Sequence, residues 1–144
     1  MLLRGVMSAL LLSTALNVQA AAEWVTLNGN NDGTTFINQL ALDSKGEFVD
    51  IEVMRDFEET ATFGNDASSG VPLYPHRSVT LTYRVDCASN TLAVVEWQMF
   101  EGNLGEGNKV WDQQNAGGLA FLKAVDAETR GVLSAACAST TVAR

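Results

Sequence analysis

The chain has 144 residues and carries 17 acidic against 9 basic side chains, a formal net charge of −8. That balance leaves no basic footprint, so nucleic acid and an anionic membrane surface are not expected as partners, and contact with a membrane is peripheral at most. The length fits one domain with a real core.

Residues 1–20 read as a secretory signal. Arg4 supplies the positive start, residues 5–18 are mostly apolar, and Val18-Gln19-Ala20 has the small-residue pattern of a cleavage site. The apolar run is short and interrupted by Ser13, Thr14 and Asn17, which is poor for a membrane span. No cysteine follows it, so no lipid anchor is expected. The expected division is a signal at 1–20 and a single domain at 21–144, periplasmic or at the cell surface.

Glu23 to Leu27 reads as a first strand, followed by Asn, Asp and Gly residues that favour tight turns. Thr34 to Leu42 is expected as a second strand and Asp43 to Gly46 as a turn. Glu47 to Phe57 is a third strand, with Val49, Ile51 and Val53 on one face and Asp50, Glu52 and Asp56 mostly on the other. Residues 58–74 read as a long irregular connection. Loops of that length are uncommon and often functional, so this one is the expected contact surface.

Arg77 to Cys87 alternates strictly. Val79, Leu81, Tyr83, Val85 and Cys87 share one side; Ser78, Thr80, Thr82, Arg84 and Asp86 share the other. Side chains in a strand point to opposite faces with a period of two, so one face is buried and one is wet. After Ala88-Ser89-Asn90, the segment Thr91 to Phe100 returns as the second arm of a hairpin, with Ala93, Val95, Trp97 and Met99 on one face. Residues 101–108 form a Gly-rich turn, Lys109 to Trp111 starts a short strand, and 113–118 is loop.

The last element is helical. Asp126 caps it and Glu128 lies in its first turn. Thr129, Val132, Leu133, Ala136 and Cys137 recur at helical spacing. Gly131 inside it costs about 1 kcal/mol relative to Ala. Cys87 and Cys137 are the only cysteines, and each falls on the apolar side of its element. In an exported chain this pattern predicts one disulfide, the alternative being two buried free thiols. The fold class expected is α+β: one antiparallel sheet of about five or six strands, a C-terminal helix on one face, and the bridge between them.

This order of features resembles the surface-adhesin protein E family of small exported bacterial proteins. The resemblance rests on Trp24-x-x-Leu27 after the signal, on R-S-V-T-L-T-Y-R-V-D-C at 77–87, on a hairpin return leading to Trp111, and on a C-terminal helix carrying Cys137. It implies an antiparallel sheet backed by that helix, with the cysteines bridged. It also implies a surface adhesin that binds extracellular-matrix or host proteins such as vitronectin and laminin. Haem binding and homodimer formation, seen in some members, are implied as well.

Site chemistry is sparse. The acidic run Asp50, Glu52, Asp56, Glu58 and Glu59 offers oxygen ligands, but no calcium-loop spacing accompanies it. A solvated sheet face explains it better. His76 is the only histidine and, between Pro75 and Arg77, reads as an exposed turn residue. Ser78 lacks a nucleophile elbow, and its hydroxyl is expected to satisfy a nearby backbone group. Trp97 is expected in the core. Tyr74, His76, Arg77 and Trp111 are the candidate binding residues, and no metal site or catalytic residue is expected. The leading reading is a non-enzymatic exported binding protein without a cofactor. The second is a soluble carrier of a small ligand such as haem, with His76 as its only candidate axial ligand.

Overall fold

The computed structural model describes residues 22–64, 67–70, 73–115 and 118–140. The segment 1–20, expected as a signal, lies outside the described residues. The strands are β1 Trp24–Asn30, β2 Gly33–Asn38, β3 Asp43–Lys45, β4 Phe48–Thr62, β5 Pro75–Asp86, β6 Thr91–Phe100, β7 Lys109–Gln114 and β8 Leu122–Lys123, and the helix α1 is Ala127–Thr140. All strands join one sheet, in the order β1-β2-β4-β5-β6-β7, with β3 beside β4 and β8 beside β6. Every pairing is antiparallel.

The alternation of β5 works as its sequence predicts. Val79, Leu81, Tyr83 and Val85 are buried, and the register sets them opposite Arg55, Val53, Ile51 and Val49 of β4. These side chains form the face on which α1 packs, with Val132 and Ala136 fully buried against them. The start of α1 is fixed by Asp126, whose Oδ1 accepts the backbone N–H of Thr129 at 2.8 Å. Asp126 is thereby held below the usual carboxylate range. Gly131 has a packing reason: a Cβ there would lie 2.9 Å from Cδ1 of Leu27 in β1, so the glycine lets the helix settle onto that strand.

The far end of the helix is tied covalently. Cys87 and Cys137 are bonded, with Cα atoms 5.7 Å apart and a sequence separation of 50. At the near end, Arg55 of β4 donates to both carboxylate oxygens of Glu128, and the hydroxyl of Thr35 donates to the same group at 3.1 Å.

The sheet departs from expectation in several places. It has more than five or six strands, because short strands at its margins also pair. Residues 43–45, expected as a turn, are β3, and Leu122–Lys123 adds β8. The second strand stops at Asn38 and a 3-10 turn at Gln39–Ala41 follows. Strand β4 continues to Thr62, so the connection expected from residue 58 starts five residues later. Strand β7 extends through Gln113 and Gln114, expected as loop. Finally, the register of β5 with β6 slips between Thr82↔Glu96 and Tyr83↔Val94. Val95 is the extra residue of this bulge, so Leu92 and Val94 join Trp97 and Met99 on the helix side while Ala93 changes face.

Candidate functional site

The structure gathers most of the candidate side chains at one end of the sheet. Between Asp56↔Ser78 and Ala61↔His76, residues 57–60 of β4 face Arg77 alone. A bulge of that size bends a ribbon and increases its twist. Arg77 spans it, donating from Nη2 to the carbonyl oxygen of Glu58. Beyond the bulge the ribbon closes through Phe63 N–H to the Leu73 carbonyl at 3.3 Å and Leu73 N–H to the Gly64 carbonyl at 3.1 Å.

The bend brings ribbon aromatics onto the neighbouring strands. Phe63 meets Trp97 edge-on at 5.1 Å between ring centres and Trp111 at 6.2 Å. Tyr74 packs on Trp111 at 4.7 Å. Tyr74 holds φ at +51°, a left-handed backbone that bulky residues rarely adopt. Its carbonyl oxygen accepts from Nδ1 of His76 at 2.8 Å, which helps fix that conformation. Trp97, expected in the core, is half-buried at the edge of the core cluster, and Trp111 is likewise half-buried.

His76 is not the exposed turn residue its neighbours suggest. It is 5% exposed, lies inside β5, and sets its ring edge-on against Phe57 at 5.6 Å. A proline is tolerated as the first residue of a strand, and Pro75 holds that position. Of the four candidates, Tyr74, His76 and Trp111 therefore share one neighbourhood, while the Arg77 guanidinium braces the bulge. The sequence did not single out Phe63 or Leu73; they are 42% and 39% exposed, and large exposed apolar groups within the long connection were the available signal.

Beside the aromatic group lies a cleft of about 300 Å³ walled by Phe57, Phe63, Val79, Trp97 and Met99, with His76, Arg55 and Thr62 as its polar contributors. Among the described residues, none of α1 lines it. Burial opposes the charge on Arg55, but the hydrogen bonds and charge of Glu128 outweigh it and raise the guanidinium pKa.

The opposite sheet face accounts for the acidic run. Asp50 receives a two-pronged hydrogen bond from Arg84, both arms at 2.8 Å. Glu52 accepts from Asn38 at 2.9 Å. Asp56 accepts from the Leu104 backbone at 2.7 Å and from Asn103 at 3.1 Å, while Glu58 and Glu59 are exposed. The Ser78 hydroxyl is fully buried, donates to the Gly102 carbonyl at 2.6 Å and accepts from the Gly105 N–H at 2.9 Å. Ser78 thus satisfies backbone groups, as expected, and with Asp56 straps the 101–107 turn over Met54.

The family model for surface-adhesin protein E matches residues 24–138, and the chain belongs to that family. No curated protein matches the sequence. Among solved structures, crystal form II of Haemophilus influenzae protein E superposes with a TM-score of 0.57 at 15% identity, over 91% of this chain and 98% of that one. Protein E from non-typeable Haemophilus influenzae superposes with a TM-score of 0.55 at 12% identity, over 88% of this chain and 84% of that one. At such identities the likeness is one of fold.

Proposed function

We propose that this member of the adhesin family is exported, acts by binding rather than by catalysis, and holds an extracellular protein through the aromatic end of its sheet. The observation that carries this reading is the continuous ring contact of Phe63, Tyr74, Trp97 and Trp111, flanked by exposed Leu73. Aromatic side chains at the centre of a patch with polar surroundings are the usual anchors of protein interfaces. Family membership supports the surface role and the export it requires.

The test uses the protein without its signal segment, presented to immobilised extracellular-matrix proteins. The double variant Phe63→Ser, Leu73→Ser is expected to lose at least tenfold in affinity with an unchanged circular dichroism spectrum. Binding equal to that of the unmodified protein sinks the assignment of this surface. Fractionation of producing cells checks export, which fails if the protein stays in the cytoplasm.

A further inference from the structure

We infer that the cleft beside the aromatic group seats one tyrosine or tryptophan side chain, offered by a basic segment of the partner. This rests on the function proposed above and specifies what the partner presents.

Three observations converge. The volume, about 300 Å³, is at the lower end for ligand sites and suits a single large side chain. The walls are mostly aromatic and aliphatic, with Arg55, Thr62 and His76 among them, which favours a ring that carries one polar group. The third observation concerns His76, which lines the cleft and is 5% exposed. Its Nδ1 lies 2.8 Å from the Tyr74 carbonyl oxygen. A carbonyl oxygen only accepts, so Nδ1 carries a proton, and in the neutral ring Nε2 is then an acceptor. An apolar guest covering that nitrogen leaves it without a donor, whereas a phenol or indole supplies one.

Charge sets the flanks. Glu58 and Glu59 are exposed on the bulge that joins cleft residues Phe57 and Ala61. Of the cations nearby, Arg55 is paired with Glu128; Arg77 hydrogen-bonds the neutral Glu58 carbonyl and keeps its charge, against which stand the two carboxylates of Glu58 and Glu59. The whole chain is acidic at −8. A basic segment is therefore drawn to this end of the molecule.

The experiment titrates isotope-labelled protein with the peptide Lys-Lys-Tyr-Lys-Lys, blocked at both ends, and with versions carrying Phe at the centre or Glu at the flanks. The Tyr peptide is expected to shift the resonances of Ala61, His76 and Trp97 and to bind roughly tenfold more tightly than either control. Ala61→Trp, which fills the cleft from its rim, should abolish those shifts. His76→Phe keeps a ring but removes the acceptor, so the preference for Tyr over Phe should vanish; if that variant does not fold, Ala61→Trp decides alone. Equal affinity for the Tyr and Phe peptides, shifts elsewhere on the surface, or no binding at millimolar peptide overturns the inference. Partner binding that is lost in the Phe63, Leu73 double variant yet unaffected by Ala61→Trp overturns it while leaving the proposed function standing. Indifference to both sets of changes removes both.

Discussion

Cys87, one residue past β5, and Cys137, near the C-terminal end of α1, are bonded with their Cα atoms 5.7 Å apart. The bridge closes a span of 50 residues, which in the chain-entropy account stabilises by about 4 kcal/mol. Replacing both cysteines by serine should lower stability by about 2–4 kcal/mol, read as a shifted urea midpoint. Intact protein should show no thiol that reacts with an alkylating agent before reduction. Two reactive thiols by mass spectrometry under native conditions would contradict the bridge.

Arg55 and Glu128 join the other end of the helix to β4. Their side chains are 40% and 18% exposed, between the surface and buried limits. A double-mutant cycle of Arg55→Met and Glu128→Gln should therefore give a coupling of about 1–2 kcal/mol, more than an open surface pair and less than a fully buried one. A coupling within error of zero would mean the pair only decorates the surface.

Ser78 bonds two backbone groups of the 101–107 turn while fully buried. Ser78→Ala leaves the Gly105 N–H and the Gly102 carbonyl without that partner and should cost about 1–3 kcal/mol. Leu104 holds φ at +55° beside them, so faster amide exchange at Leu104 and Gly105 should accompany the loss. Unchanged exchange there would show that Asp56 alone holds the turn.

Asp126 has a native pKa below its unfolded value because it accepts the Thr129 N–H. The folded state therefore binds fewer protons, and stability rises with pH across that window. The contribution is complete above the unfolded value of about 3.9 and is lost as pH falls through the native one. Asp126→Asn should keep the cap near neutrality but flatten this acid slope, whereas Asp126→Ala should cost about 1 kcal/mol near neutrality. Urea titrations across the acid range would show whether the slope changes; an Asn variant with an unaltered slope rules out this origin.

Much of the frame was legible in the residues. Strict alternation in β5 placed Cys87 on the apolar side, helical spacing did the same for Cys137, and the two placements meet in the bridge. What escaped were the events without a local signal. Val95 is apolar and β-branched like Val94 before it, so nothing in its type announces a bulge, yet that one residue moves Ala93 to the other face. His76 sits next to a proline and reads as turn, but its burial depends on Phe57, brought over it by a bend nineteen residues upstream in sequence. The candidate site was half visible for the same reason: Tyr74 and Trp111 stood out by type, and their meeting depends on long-range register.

Strands β4 and β5 go on pairing after β2 has run out at Gly33↔Phe57. Substitutions in this overhang leave Val53 and Val85 untouched, so, on the function proposed above, lineages can remodel what they recognise while the folded scaffold endures. Divergence should therefore concentrate at residues 58–74, and chimaeras that exchange this tip between relatives should carry the donor's preference on the host's framework.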